Sequence, residues 1–269
     1  MFAYVKRLTP LGRASVPAMS DLACSLLGHG RPFVWGHGLT SSRANEDQRR
    51  LFDWSRLSDA GTQVVRYDAR GHGQTGGPAD PSAYEWTQLA DDLLALMDHL
   101  DIDRAAAGGA SMGCASLLHA AVRAPERFER LVLVIPPTAW ETRPAQATAY
   151  EASASYVEEA GKAAWMAAAD CLPKPAIFDV VPPTPFDADI SEELLPFVLR
   201  GAAASDLPAP DALAALDHPA LVLAWTTDPG HPVSTAERLA ELLPNAELHV
   251  AETLAEVLTW SPRVADFLA

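Results

Sequence analysis

Between residues 33 and 136 short apolar runs alternate with stretches patterned for helix, and that rhythm admits few folds. Phe33-Val34-Trp35, Gln63 to Tyr67 and Leu131 to Ile135 read as strands, and a shorter one at Ala105-Ala106-Ala107 leads into Gly108-Gly109. Trp86, Leu89, Leu93, Met97 and Leu100 fall on one helical face; Met112 to Arg123 reads as a second helix, closed by Pro125. Strands this apolar are buried on both faces. The expectation is an α/β fold, with a mostly parallel central sheet and helices on both sides.

The rhythm breaks after Pro136-Pro137. Residues 138 to about 212 hold no buried strand, but helical segments near 144–171 and 191–204, separated by Pro173, Pro175, Pro182, Pro183 and Pro185. This reads as a helical cap inserted into the core, which divides the chain into 1–136 (core, first part), 137–212 (cap) and 213–269 (core, second part). Leu221 to Trp225 resumes the sheet and Ala246 to Val250 is its last strand. Ser234 with Glu237, and Thr253 with Glu256, have the spacing of capping boxes, and Ser261-Pro262 reads as the start of a final helix.

Charge narrows the function. The 269 residues carry a formal net charge of −15, which argues against nucleic acid or an anionic membrane as partner. No run of about 18 apolar residues predicts a membrane span. No basic start followed by an apolar run marks a signal peptide, so a cytoplasmic location is expected. Cys24, Cys114 and Cys171 are too scattered for a disulfide framework or a zinc site and are expected to be buried thiols. Neither a metal nor a cofactor is expected; the partner is a small-molecule substrate.

Gly109-Ala110-Ser111-Met112-Gly113 fits G-x-S-x-G and sits between a strand and a helix. A serine held in so tight a turn needs small residues two positions to either side. Its hydroxyl is then presented at a helix N-terminus, where developing negative charge is favoured. With Trp35-Gly36-His37-Gly38 and Tyr67-Asp68-Ala69-Arg70-Gly71-His72-Gly73, the sequence resembles the α/β-hydrolase superfamily over nearly its whole length. The resemblance implies that Ser111 is a nucleophile, that the N–H groups of Leu39 and Met112 form an oxyanion hole, and that His37 and His72 hold loops together. Gly109 and Gly113 would support the turn. Asp228, just beyond the strand ending at Trp225, resembles the acid of the family's triad; it could equally cap the Asp228-Pro229-Gly230 turn.

The chain departs from the family where its histidine belongs. Only Ala251 and Glu252 separate the last strand from the cap at Thr253, and neither substitutes for an imidazole near neutral pH. Of the eight histidines, His119 is two helical turns from Ser111, ~12 Å along the axis. His218 precedes its strand, His29 and His99 lie away from the elbow, and His249 is within the last strand. His231 follows Asp228 by three residues, in a loop at the carboxyl end of the sheet where such folds collect their catalytic groups. It is the candidate base, oriented by Asp228 or by Glu141; the alternatives are His249, or no histidine base, with His231 an ordinary loop residue between Gly230 and Pro232.

The reading is a serine hydrolase of a small ester, thioester or lactone, with Trp140, Trp165, Phe178 and Phe186 as candidate walls of its pocket, although each taken singly reads more simply as packing within the cap. Two alternatives keep the fold. One is a C–C bond hydrolase or cofactor-free haloperoxidase-like enzyme. The other is a catalytically impaired protein that binds a small molecule.

Overall fold

The computed structural model describes residues 22–182 and 185–269. The N-terminal stretch read above for a signal peptide, and Pro183, lie outside the described residues. Seven strands form one sheet: β1 (Cys24–Leu27), β2 (Arg31–Gly36), β3 (Thr62–Tyr67), β4 (Ala105–Ala110), β5 (Phe128–Val134), β6 (Ala220–Trp225) and β7 (Ala246–Ala251). Their order is β1-β3-β2-β4-β5-β6-β7, and all neighbours are parallel except the antiparallel pair of β1 and β3. The order turns back at β2, so β2 and β4 lie side by side and the loops after them face one crevice at the carboxyl edge.

Eleven α-helices complete the described chain: α1 (Arg43–Arg49), α2 (Trp54–Asp59), α3 (Trp86–His99), α4 (Met112–Arg123), α5 (Arg143–Ala160), α6 (Lys162–Asp170), α7 (Leu195–Ala203), α8 (Pro210–Ala214), α9 (Val233–Leu242), α10 (Leu254–Val257) and α11 (Trp260–Leu268). The two faces of the sheet follow the strand period of two. Val34, Val65, Ala107, Leu131, Leu133 and Val222 pack with α3, α4, α8 and α9. Their neighbours in sequence, Phe33, Val64, Ala106, Val132 and Leu221, pack with α2 and α11. Both faces are covered over the central strands, which is why β4, β5 and β6 read as apolar runs. No helix among the described residues is long and apolar enough to cross a membrane.

Between β5 and β6 the chain leaves the sheet. Ala154, Val157, Trp165, Ile190, Leu195 and Leu199, from α5, α6, α7 and the segment between them, form a smaller core of their own with Tyr84. Arg143, at the start of α5, donates to the carbonyls of Ser205 and Ala202 and stacks 4.2 Å from the Trp86 ring, tying these helices to α3.

Three local expectations are corrected. Ser234 is not an N-cap: α9 begins at Val233 behind Pro232, and no side chain caps it. The last helix starts at Trp260, and the Ser261 hydroxyl accepts a bond from the Asp53 N–H at 2.8 Å. Cys24 and Cys114 are buried, but Cys171 is exposed at the end of α6. The Thr253–Glu256 capping box forms as expected and starts α10.

Candidate active site

Ser111 joins β4 to α4 with φ +51° and ψ −108°, a backbone region that a residue with a side chain occupies only when its surroundings hold it there. Its N–H donates to the Val134 carbonyl at 3.0 Å, and its own carbonyl starts α4 by accepting from Ala115. The flanking glycines make the turn feasible. A Cβ on Gly109 would lie 2.3 Å from the Gly113 carbonyl carbon, and one on Gly113 would lie 2.1 Å from the Gly36 oxygen. Strand, turn and helix are thus pressed together with no room for a methyl group.

The loop after β2 faces this turn. Buried His37 accepts from the Ala69 N–H through Nε2 at 2.9 Å and donates from Nδ1 to the Gly38 carbonyl at 2.8 Å. His72 accepts from the Thr40 N–H at 3.3 Å and donates to the Arg70 carbonyl at 2.8 Å. Burial pushes both imidazoles down in pKa, His72 to about 3, so each stays neutral and keeps one acceptor nitrogen for the loop. The two rings lie 5.1 Å apart and clamp residues 37–40 to the loop after β3. Leu39 lines the same cavity as Ser111 and Met112 follows Ser111 at the start of α4, and among the described residues neither N–H donates to a protein acceptor.

Beyond β6 the chain makes a compact turn. The Asp228 carbonyl accepts from the His231 N–H at 3.2 Å, and its Oδ1 accepts from the Gly230 N–H at 3.0 Å. The second carboxyl oxygen, Oδ2, accepts from the Trp225 indole and from His231 Nδ1, each at 2.8 Å. That leaves His231 Nε2 as an acceptor, and the Ser111 hydroxyl donates to it at 2.9 Å. Burial alone would raise the Asp228 pKa. The bonds from His231, Trp225 and Gly230 outweigh it and hold the carboxyl at about 2.

The structure therefore brings Ser111, His231 and Asp228 into one hydrogen-bonded chain. Glu141 is exposed and takes no part. His249 lies within β7 opposite Leu223, where burial lowers its pKa, and does not reach the turn. The other expected position of Asp228, capping its own turn, is also met, by the oxygen that does not serve His231.

A cavity of about 170 Å³ opens onto Ser111 and His231. Its walls include none of the four candidate aromatics, which pack elsewhere. Trp165 and Phe186 pack edge-on against each other at 5.4 Å, Trp140 donates to the Pro208 carbonyl, and Phe178 stands edge-on behind Trp225 at 5.0 Å. The walls come instead from the core: Trp35, Phe52, Trp54, Trp225 and Trp260, with Glu46 and Arg49 of α1. This half of the site was missed because α1 (RANEDQR), with Ala44 as its single apolar residue, has no apolar stripe to mark it. It is held by the Ser42 cap to the Asn45 N–H, by a hydrogen bond from Arg66 to Glu46 and by the ion pair of Arg66 with Asp47.

A sequence profile for the alpha/beta hydrolase fold matches residues 27–156. A 3-oxoadipate enol-lactonase of Acinetobacter baylyi is 32% identical over 199 residues, which cover 70% of this chain and 70% of that protein. The chain belongs to the α/β-hydrolase family. Among solved structures, a hydrolase from Pseudomonas aeruginosa superposes with a TM-score of 0.77 at 23% identity, over 99% of this chain and 98% of that one. The enol-lactonase of Burkholderia xenovorans superposes with a TM-score of 0.74 at 23% identity, over 92% and 96%. At those identities the two structures bear on the fold of this α/β-hydrolase alone.

Glu46 gives the site a titration of its own. Burial pushes its carboxyl up to about 7, despite bonds from the Trp35 indole at 2.8 Å and from Arg66 at 3.3 Å. The native state therefore holds a proton that the unfolded chain has released by pH 5, and stability falls as pH rises from about 4.5 to 7. Glu46→Gln removes this dependence. Urea unfolding of both proteins at pH 5 and pH 8 is expected to show their stability difference changing by about 3 kcal/mol in favour of the variant at the higher pH. A constant difference would mean that Glu46 is ionised throughout.

Proposed function

We propose that the protein is a serine hydrolase acting on a small ester, thioester or lactone. The observation that carries this reading is the continuous chain from the Ser111 hydroxyl through His231 to Asp228, with spacings of 2.9 and 2.8 Å. Ser111 Oγ attacks the carbonyl carbon as His231 Nε2 takes its proton. The oxygen of the tetrahedral intermediate is received by the N–H groups of Leu39 and Met112, an interaction worth several kcal/mol of barrier. His231 then protonates the departing oxygen or sulfur, and the acyl group stays on Ser111. A water that gives its proton to His231 releases the acid and restores the serine. Asp228 keeps the proton on Nδ1 throughout, so that Nε2 is the basic nitrogen.

Family membership supports hydrolysis, and the lactonase among the relatives supports a cyclic or linear carboxylic ester. The reading as an impaired binding protein rested on a histidine missing from the last loop; with an imidazole bonded to Ser111 from the preceding loop, nothing favours it.

Treatment with a fluorophosphonate and measurement of intact mass tests the reading without the natural substrate. One adduct per chain is expected in the wild type and none in Ser111→Ala. Absence of labelling in the folded wild type would overturn it.

A further inference from the structure

Among the described residues, one charge on the cavity wall is left without a partner. Besides Ser111, His231 and the indoles, the polar side chains that line the cavity are Ser41, Glu46 and Arg49. Arg49 stands in the last turn of α1. Its guanidinium makes neither a hydrogen bond nor an ion pair among the described residues, and Glu46 and Asp187 act on it only through space. Its neighbours differ: Arg43 is paired with Asp68 at 3.0 Å and Arg66 with Asp47 at 2.6 Å. Arg49 is exposed to solvent, yet crowded enough for burial to lower its pKa. A cation on a convex surface keeps its water on every side. One in the wall of a cleft loses part of that hydration while staying open to a guest.

Nothing ionised in the cavity cancels this charge on the acid side of neutrality. Glu46 is the one carboxyl that lines it among the described residues, and burial keeps it protonated up to about pH 7. Asp187 is exposed and does not line the cavity. The net charge of −15 repels an anion at a distance, so a preference for one has to come from a cation beside the nucleophile. Size sets the other limit. A volume of about 170 Å³ is close to the ~150 Å³ at which an apolar protein cavity takes up benzene, so the guest is a group of roughly six to eight heavy atoms.

Resting on the serine-hydrolase reading, we propose that Arg49 selects the substrate: the acyl group is short and ends in a carboxylate, which the guanidinium receives while the ester carbonyl lies at Ser111. The planar fork of an arginine matches the two oxygens of a carboxylate, and such charge-assisted bonds are stronger than neutral ones. The carboxylate belongs to the acyl part because that part must stay. The alcohol leaves before water enters, whereas the acyl group is tethered to Ser111 between the two steps and gains from being held through both.

The test compares the monoethyl esters of succinic, glutaric and adipic acid with esters in which a carboxamide, of the same shape but uncharged, replaces the free carboxylate. At pH 6 an ordinary carboxylic acid is ionised while Glu46 is mostly protonated. At the best chain length the acid is expected to exceed its amide in kcat/KM by at least tenfold. Arg49→Gln is expected to bring that ratio to about one, Arg49→Lys to keep part of it, and Arg49→Glu to invert it. Fluorophosphonate labelling of each variant shows that Ser111 is still presented. An acid no better than its amide at all three lengths, or a ratio unmoved in Arg49→Gln, overturns the subsite while leaving the serine mechanism standing. Failure of the wild type to label overturns the mechanism itself.

Discussion

Replacing His231 by alanine is expected to lower kcat for p-nitrophenyl acetate by about 10⁴- to 10⁶-fold with little change in KM, since the proton of Ser111 then has no acceptor in the site. Nε2 is the only nitrogen found bonded to that hydroxyl among the described residues. Residual turnover is expected, because the N–H groups of Leu39 and Met112 remain. Adding Ser111→Ala to His231→Ala should cost almost nothing further, as residues acting as one unit are not additive. Free imidazole is expected to restore part of the activity to the His231 variant but none to the Ser111 variant. His249→Ala, measured beside it, should keep wild-type turnover; a large loss there with none in His231→Ala would put the base in β7 instead.

Asp228→Asn is the second large effect. The substitution is nearly isosteric, but Trp225 and His231 share Oδ2, so an amide NH₂ in that position gives up the Trp225 bond and favours the imidazole tautomer with its proton on Nε2. The hydroxyl of Ser111 would then meet a donor. A loss of about 10⁴-fold in kcat is expected with substrate binding retained. The acidity of Asp228 gives the corresponding pH statement. With its carboxyl held at about 2 against an ordinary 3.8, its contribution to stability is complete above about pH 4 and is lost only as pH falls through 2. Loss of activity on mild acidification therefore does not come from Asp228. Asp228→Asn should leave unfolding in urea unchanged in its pH dependence between pH 5 and 8.

Much of the fold was legible because the sheet is covered on both sides. Parallel strands so placed are written as apolar runs, and β2, β3, β4, β5 and β6 were found from them; β7, half-exposed at the sheet edge, was found from its place between two helix signals. The bounds of α4 were also readable, since the elbow before Met112 and Pro125 after it are both strong punctuation. His231 could be placed near Ser111 by reasoning about which end of the sheet each loop leaves from. What could not be read was held by contacts remote in sequence. Helix α1 has no apolar stripe and depends on Arg66 and on the Ser42 cap. The cavity wall joins Phe52 and Trp54 to Trp260, partners separated by most of the chain, and no local pattern announces such a meeting. Ser234 misled for a physical reason. A Ser-x-x-Glu spacing marks a helix start only if the chain is still extended at the serine, and here Pro232, with φ −65° and ψ 136°, has already taken the cap position.

The shared turn of Asp228 and His231 changes what the chain must accomplish to assemble its reactive centre. A serine, an acid and a histidine on three separate loops require three segments to converge, each paying its own closure entropy. Here the acid and the imidazole are set against each other by a four-residue turn, so only one remote encounter, that of the turn with the elbow, remains to be made. Under the proposed mechanism the stretch from Ala251 to Thr253 has no part in proton transfer and serves only to end β7 and cap α10, while the turn before it carries acid and base together as a single heritable unit.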